Sequence, residues 1–353
     1  MTILHRRRFR RLVFAVLFVA LLIFGCLGSE IAARLWLNSV LTVPLPDDVA
    51  LTSATDLRDL TELAKGWRLD ANGEWNVTFH SEHYNFTNGL RETIGQRGHW
   101  INTIYMFGSS TMVDMQVADR DTKPSILQNL LNADGYQYRV VNASSIGFTT
   151  GQSLRRLNQI ALVPGDIVIF YDGAHEFAHI GTIALRASTL TGRLCSWMRD
   201  TYSTLALSTV YCIATDILLP SAAATTEALT ESRQQYITDL LAASAYARVH
   251  GATFYHFLQP NIFSAPLSRY EQHLIFVESL DYPNAPAALI ASWPSIRSVV
   301  PELQRNGVAS VDLYHVLDAA RAAELTVYID SWHTTAQANR IITRAIYDTI
   351  SPF

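Results

Sequence analysis

Lysine is nearly missing from this 353-residue chain: Lys65 and Lys123 are the only two. Positive charge rests on arginine instead, and five of the 27 basic residues crowd together as Arg6, Arg7, Arg8, Arg10 and Arg11. No acidic residue precedes Glu30. Beyond residue 11, 22 basic residues face 31 acidic ones, a net of −9. That balance leaves no basic patch for nucleic acid. Cysteine is scarce too. Cys26, Cys195 and Cys212 are the whole set, and no Cys/His spacing matches a zinc site. Cys195 and Cys212 could form one bridge in an oxidising compartment or stay two buried thiols; the residues leave both open. Internal repeats and low-complexity tracts are absent. Charged residues make up only 16%, against 49% hydrophobic and 10% aromatic, which excludes a disordered chain. The length accommodates one α/β domain of about 250 residues with additions.

One addition is the apolar run from Leu12 to Gly28, which carries no charge. About 17 residues is the short end of a membrane span. The basic residues before it predict a cytoplasmic N-terminus and export of the rest to the periplasm or cell surface. The expected plan is a cytoplasmic tail at 1–11 and a transmembrane signal anchor at 12–28. Two rivals stand beside it. A signal peptide could be cleaved among the small residues from Gly25 to Ser29. A lipoprotein would be acylated at Cys26, although Phe24 suits that site poorly. Residues 29–99 read as a linker and N-terminal extension. A helix from Ser29 to Leu41 ends at Pro44, Pro46, Asp47 and Asp48. The stretch 50–95 is mixed and polar, with Trp67, Trp75 and Tyr84 scattered through it, and reads as an extension packed on the main domain. Asn76-Val77-Thr78 and Asn85-Phe86-Thr87 match the glycosylation acceptor pattern, which matters only in a eukaryotic secretory pathway.

From about residue 100 strands alternate with helices. The apolar runs at 101–107, 138–142, 166–171, 252–258 and 308–313 predict five strands. Helices are expected over 125–133, 151–162, 230–250, part of 290–306, and 335–350. This order predicts a three-layer α/β/α sandwich with a five-stranded parallel sheet. Residues 178–228 form an insertion with its own apolar content, a possible cap. Parallel sheets bind ligands beyond the C-terminal strand ends. Three polar stretches fall there, and a fourth lies near the C-terminus.

The first is Gly108-Ser109-Ser110-Thr111, a small-residue turn that lifts a hydroxyl off a strand end. The second is Asn142-Ala143-Ser144-Ser145-Ile146-Gly147. The third is Asp172-Gly173-Ala174-His175-Glu176-Phe177. The fourth, Asp330-Ser331-Trp332-His333, sets a carboxylate and an imidazole three residues apart. Ser110 as nucleophile, His333 as base and Asp330 as its orienter would supply acyl transfer. Taken singly, each stretch is equally an ordinary turn or helix cap. Gln259 and Asn261, after the fourth strand, are candidate substrate contacts or simply a strand-end turn shaped by Pro260. Asp172 and Glu176 flank His175 and either shift its pKa or read as solvated loop carboxylates, the latter slightly favoured. His256, between aromatics on a strand, reads as a core residue.

In this order the four stretches resemble the blocks of the SGNH/GDSL hydrolase superfamily. The resemblance spans residues 104 to about 345 and leaves the first hundred uncovered. It implies a flavodoxin-like fold, a Ser110–His333–Asp330 triad, and an oxyanion hole made by Ser110, Gly147 and the block-three residue. It also implies ester hydrolysis without metal or cofactor, on a small acyl group such as acetyl carried by carbohydrate or lipid. Transfer of the acyl group to a sugar hydroxyl would use the same residues. A binding protein that keeps the fold without catalysis is the third expectation. Two departures are visible. Ser109 stands where the family has Asp or Gly, and His175 stands where it has an asparagine that donates to the oxyanion.

Overall fold

The computed structural model describes residues 31, 54–70, 74–173, 176, 225–281 and 285–350. The apolar run 12–28, Cys26, His175, Cys195, Cys212 and nearly all of the 178–228 insertion lie outside these. Among the described residues no helix is long and apolar enough to cross a membrane.

Five strands form one parallel sheet: β1 (Asn102–Gly108), β2 (Tyr138–Asn142), β3 (Ile167–Asp172), β4 (Thr253–Leu258) and β5 (Ala309–Asp312). Their order across the sheet is β5-β4-β3-β1-β2. Every neighbouring pair is parallel. The chain thus runs outward from β1 in both directions, and the crevice between β1 and β3 is the topological switch point. Each residue of the central strand β3 is buried, which is why its sequence is a short unbroken apolar run.

Side chains alternate between two cores. Phe107, Val168 and Phe170 point to one face, where they meet Leu157, Tyr236, Leu240 and Leu303. These come from α3 (Thr150–Leu157), α4 (Thr225–Val249) and α5 (Val299–Arg305). Ile104, Met106, Ile169 and Tyr171 point to the other face, against Leu127, Leu131, Ile342 and Ile346. Those helices are α2 (Lys123–Ala133) and α6 (Ala336–Ile350). The expected three-layer α/β/α arrangement is therefore present. Local capping explains where helix bounds differ from expectation. Thr122 accepts from the Ser125 N–H and Pro124 sits in the first turn, so α2 starts at Lys123. Thr149 and Gln152 form a reciprocal capping box that starts α3 at Thr150.

The residues before β1 pack on the sheet domain. The helix Ala54–Gly66 and a small antiparallel sheet bring Leu63, Val77, Tyr84 and Phe86 against Val113, Met115 and Ile146. Arg91 is buried and seals the joint. It pairs with Asp119 at 2.8 Å and donates to the carbonyls of Val113, Asp114 and Val117. Asn85, one of the two glycosylation candidates, is engaged as well: its Nδ2 donates to Ser81 O and Asp119 Oδ2.

Candidate active site

β1 ends at Gly108, where the chain must turn within one residue. A Cβ on Gly108 would lie 2.4 Å from the Tyr171 carbonyl oxygen and 2.9 Å from Met112 Cβ. Only glycine lets β1 run this close to β3 and still fold back. Ser109 then caps a short helix α1 (Ser110–Val113), and Ser110 stands at its first position, partly exposed. Ser109 is buried, its Oγ 3.3 Å from Thr111 Oγ.

The base arrives from the other end of the chain. An isolated antiparallel bridge joins Tyr328 to Thr334, and the Ile329 N–H donates to His333 O. Within this tight loop Asp330 Oδ1 accepts from the N–H groups of Trp332 and His333, at 3.0 and 2.7 Å. Asp330 Oδ2 lies 2.5 Å from His333 Nδ1. On the far side of the ring, His333 Nε2 is 2.8 Å from Ser110 Oγ. Ser110, His333 and Asp330 therefore form one continuous hydrogen-bonded chain across 223 residues of sequence. With the proton on Nδ1, the imidazole donates to Asp330 and accepts from the serine hydroxyl. Burial works against an imidazolium at His333, but the charge and hydrogen bond of Asp330 outweigh it and raise the pKa above 6.5. Burial likewise opposes the Asp330 carboxylate, and His333 with the two backbone donors holds its pKa below the ordinary value.

Gly147 lies at the mouth of the same turn. The Ser145 N–H donates to Gly108 O, and Asn142 reaches from β2 to Met112 O, so the 143–147 loop is tied to the nucleophile turn. Gly147 has φ +72° and open space where a Cβ would be. No acceptor among the described residues takes the N–H of Ser110 or of Gly147. His175, the third expected oxyanion donor, is outside the described residues.

Two expected substrate contacts do not lie open. Gln259 and Asn261 are almost wholly buried. Gln259 Oε1 accepts from Thr111 Oγ at 3.1 Å, and Asn261 Oδ1 accepts from the Phe263 N–H. Gln259 Nε2 and Asn261 Nδ2 have no hydrogen-bond partner among the described residues. Asp172 and Glu176 are corrected in the same sense. Both are buried, next to Thr150 Oγ at 3.0 and 2.6 Å. Burial and the nearby Asp172 carboxylate push Glu176 up to about 7, against the opposing hydrogen bonds of Thr150. Asp172 also accepts from Tyr236 OH, which contacts His256 Nε2 at 2.8 Å. His256 Nδ1 meets Ser310 Oγ at 2.6 Å, so the core reading of His256 holds. The residue that sequence reasoning overlooked is Lys123, wholly buried under α1. Its rarity was the one available signal.

No protein-family model matches the chain, and no curated protein does. Solved structures do show likenesses. One is a member of the lipolytic protein G-D-S-L family from Veillonella parvula, at 11% identity and TM-score 0.43, covering 72% of this chain and 100% of that one. Another is TesA, at 16% identity and TM-score 0.38, covering 71% and 98%. A third is the acetylxylan esterase Axe2 from Geobacillus stearothermophilus, at 11% identity and TM-score 0.41, covering 72% and 96%. At TM-scores this low the likenesses carry no functional argument, and the chemistry rests on the site's own geometry.

Proposed function

We propose that the protein is a serine esterase that removes a small acyl group from a carbohydrate or lipid. The observation that carries this reading is the unbroken chain Ser110 Oγ–His333 Nε2, His333 Nδ1–Asp330 Oδ2 at the switch point of the sheet. Ser110 Oγ attacks the ester carbonyl while His333 Nε2 takes its proton. Asp330 holds the tautomer and stabilises the imidazolium. The N–H groups of Ser110 and Gly147 stabilise the oxyanion, and His175 supplies the third donor. His333 then protonates the leaving alcohol, and water, deprotonated by the same imidazole, releases the acid from the acyl-enzyme. The sequence of steps needs no metal or cofactor. The run 12–28 anchors the chain in a membrane, with the esterase outside the cytoplasm.

A fluorophosphonate probe tests the assignment. Wild type is labelled and Ser110→Ala is not; equal labelling of both, or none together with no turnover of p-nitrophenyl acetate, overturns it. Adding an oligosaccharide to the assay separates the two acyl fates: free acetate marks hydrolysis, acetylated sugar marks transfer. A reporter fused after residue 45 reads the orientation, and a cytoplasmic signal sinks the export proposal.

A further inference from the structure

Lys123 is the one lysine beyond residue 65, and it is 0% exposed. Taking an ammonium out of water is costly, and burial lowers its pKa. Three acceptors answer the three N–H donors: Asp114 Oδ1 at 2.6 Å, Thr111 O at 2.8 Å and Thr334 Oγ at 3.2 Å. The Tyr171 ring lies 5.2 Å from Nζ. These acceptors are not neighbours in sequence. Thr111 follows Ser110, and Thr334 follows His333. Asp114 ends α1 in a left-handed conformation, φ 57°, and its N–H donates to Ser110 O. Asp114 Oδ2 also accepts from the Lys123 N–H at 2.9 Å. Thr334 in turn donates to Asn339 in α6.

We propose that Lys123 is a positioning residue, a clamp whose ammonium joins the nucleophile turn to the histidine loop and so keeps Ser110 Oγ within reach of His333 Nε2. The inference rests on the triad reading of the active site. An ammonium suits the task because its three donors point in different directions from one atom, two toward α1 and one toward the histidine loop, where a planar guanidinium would spread its donors in one plane. Stability does not explain the pair, because a buried ion pair is often replaced by apolar residues at no loss. Lys123 and Asp114 also bias His333 in opposite senses, so removing both takes away two opposing influences on the base.

The test compares the paired variant Lys123→Met/Asp114→Asn, which leaves no lone buried charge, with Thr334→Val, which cuts the link from Lys123 to the histidine loop together with the Thr334–Asn339 bond. With p-nitrophenyl acetate, kcat falls on the order of 10²-fold while KM stays within about twofold, the size expected for a displacement near 1 Å. Crystal structures of both variants show Ser110 Oγ and His333 Nε2 moved out of hydrogen-bond range. Folded variants with unchanged kcat and an intact Ser110–His333 bond overturn the clamp. If the wild type turns over no ester but the variants still lose that bond, the esterase reading fails and the clamp stands.

Discussion

Among the described residues two hydroxyl–imidazole–carboxylate chains stand out, and they differ in one respect that decides their use. At the strand ends, Ser110, His333 and Asp330 are partly open, with side-chain exposure of 12% at His333 and 31% at Asp330. Inside the sheet, Ser310 meets His256, which lies 3.3 Å from Asp172, with Tyr236 between them. His256 is 0% exposed and Ser310 3%. Ser310 sits within β5, so its hydroxyl points into packed core. Ser110 follows β1 at the turn, at the switch point, beside two uncommitted backbone N–H groups. The chemistry of the side chains is alike; access and oxyanion donors belong to the first chain alone.

Replacing the two serines separates them most sharply. Ser110→Ala lowers kcat/KM for p-nitrophenyl acetate on the order of 10⁵–10⁶-fold without a change in thermal midpoint. Ser310→Ala leaves kcat within a fewfold but strands the buried Nδ1 of His256, costing about 1–3 kcal/mol in denaturant unfolding. Loss of activity in Ser310→Ala, with the fold intact, would erase the distinction.

The carboxylates sharpen it next. Asp330→Asn costs about 10⁴ in kcat, because the imidazole loses both its tautomer and its counter-charge. Acid does the same work reversibly. Only neutral His333 accepts the Ser110 proton, and Asp330 raises its pKa above 6.5. The rate kcat/KM therefore falls about tenfold per pH unit below that raised value. A limb that titrates below 6.5 in wild type contradicts the geometry.

The smallest effect lies in the interior. Glu176 is pushed up to about 7 from the ordinary 4.5, so the folded state binds its proton more tightly than the unfolded chain. Its contribution to stability is then greatest below pH 4.5 and declines as pH rises through about 7. Glu176→Gln carries no charge to bury. Between pH 5 and pH 8 its thermal midpoint should drop by less than that of wild type, by several degrees; parallel curves would show that Glu176 does not titrate there.

Much of the exposed chain was legible in the sequence. The strand positions followed from short apolar runs, Ser110 and Gly147 from small or polar residues placed just beyond strand ends, and Asp330 and His333 from a carboxylate and an imidazole set three residues apart. The interior was less so. Gln259 and Asn261 follow a strand end as a substrate contact would, yet both are buried. Asp172 and Glu176 have the composition of a solvated loop, and only Thr150 and Tyr236, from other elements, show why they are not. The partners of Lys123 lie up to 211 residues away, beyond any local pattern.

Local composition therefore determined the alternating strands and helices, their parallel sheet, and the residue types at the strand ends, because backbone preferences and apolar periodicity act over a few residues. Tertiary structure decided which of two similar hydrogen-bonded chains is open, which carboxylates are buried, and what the one buried lysine ties together. Those outcomes depend on desolvation and on distances between elements, and both exist only once the sheet has brought the distant segments into contact.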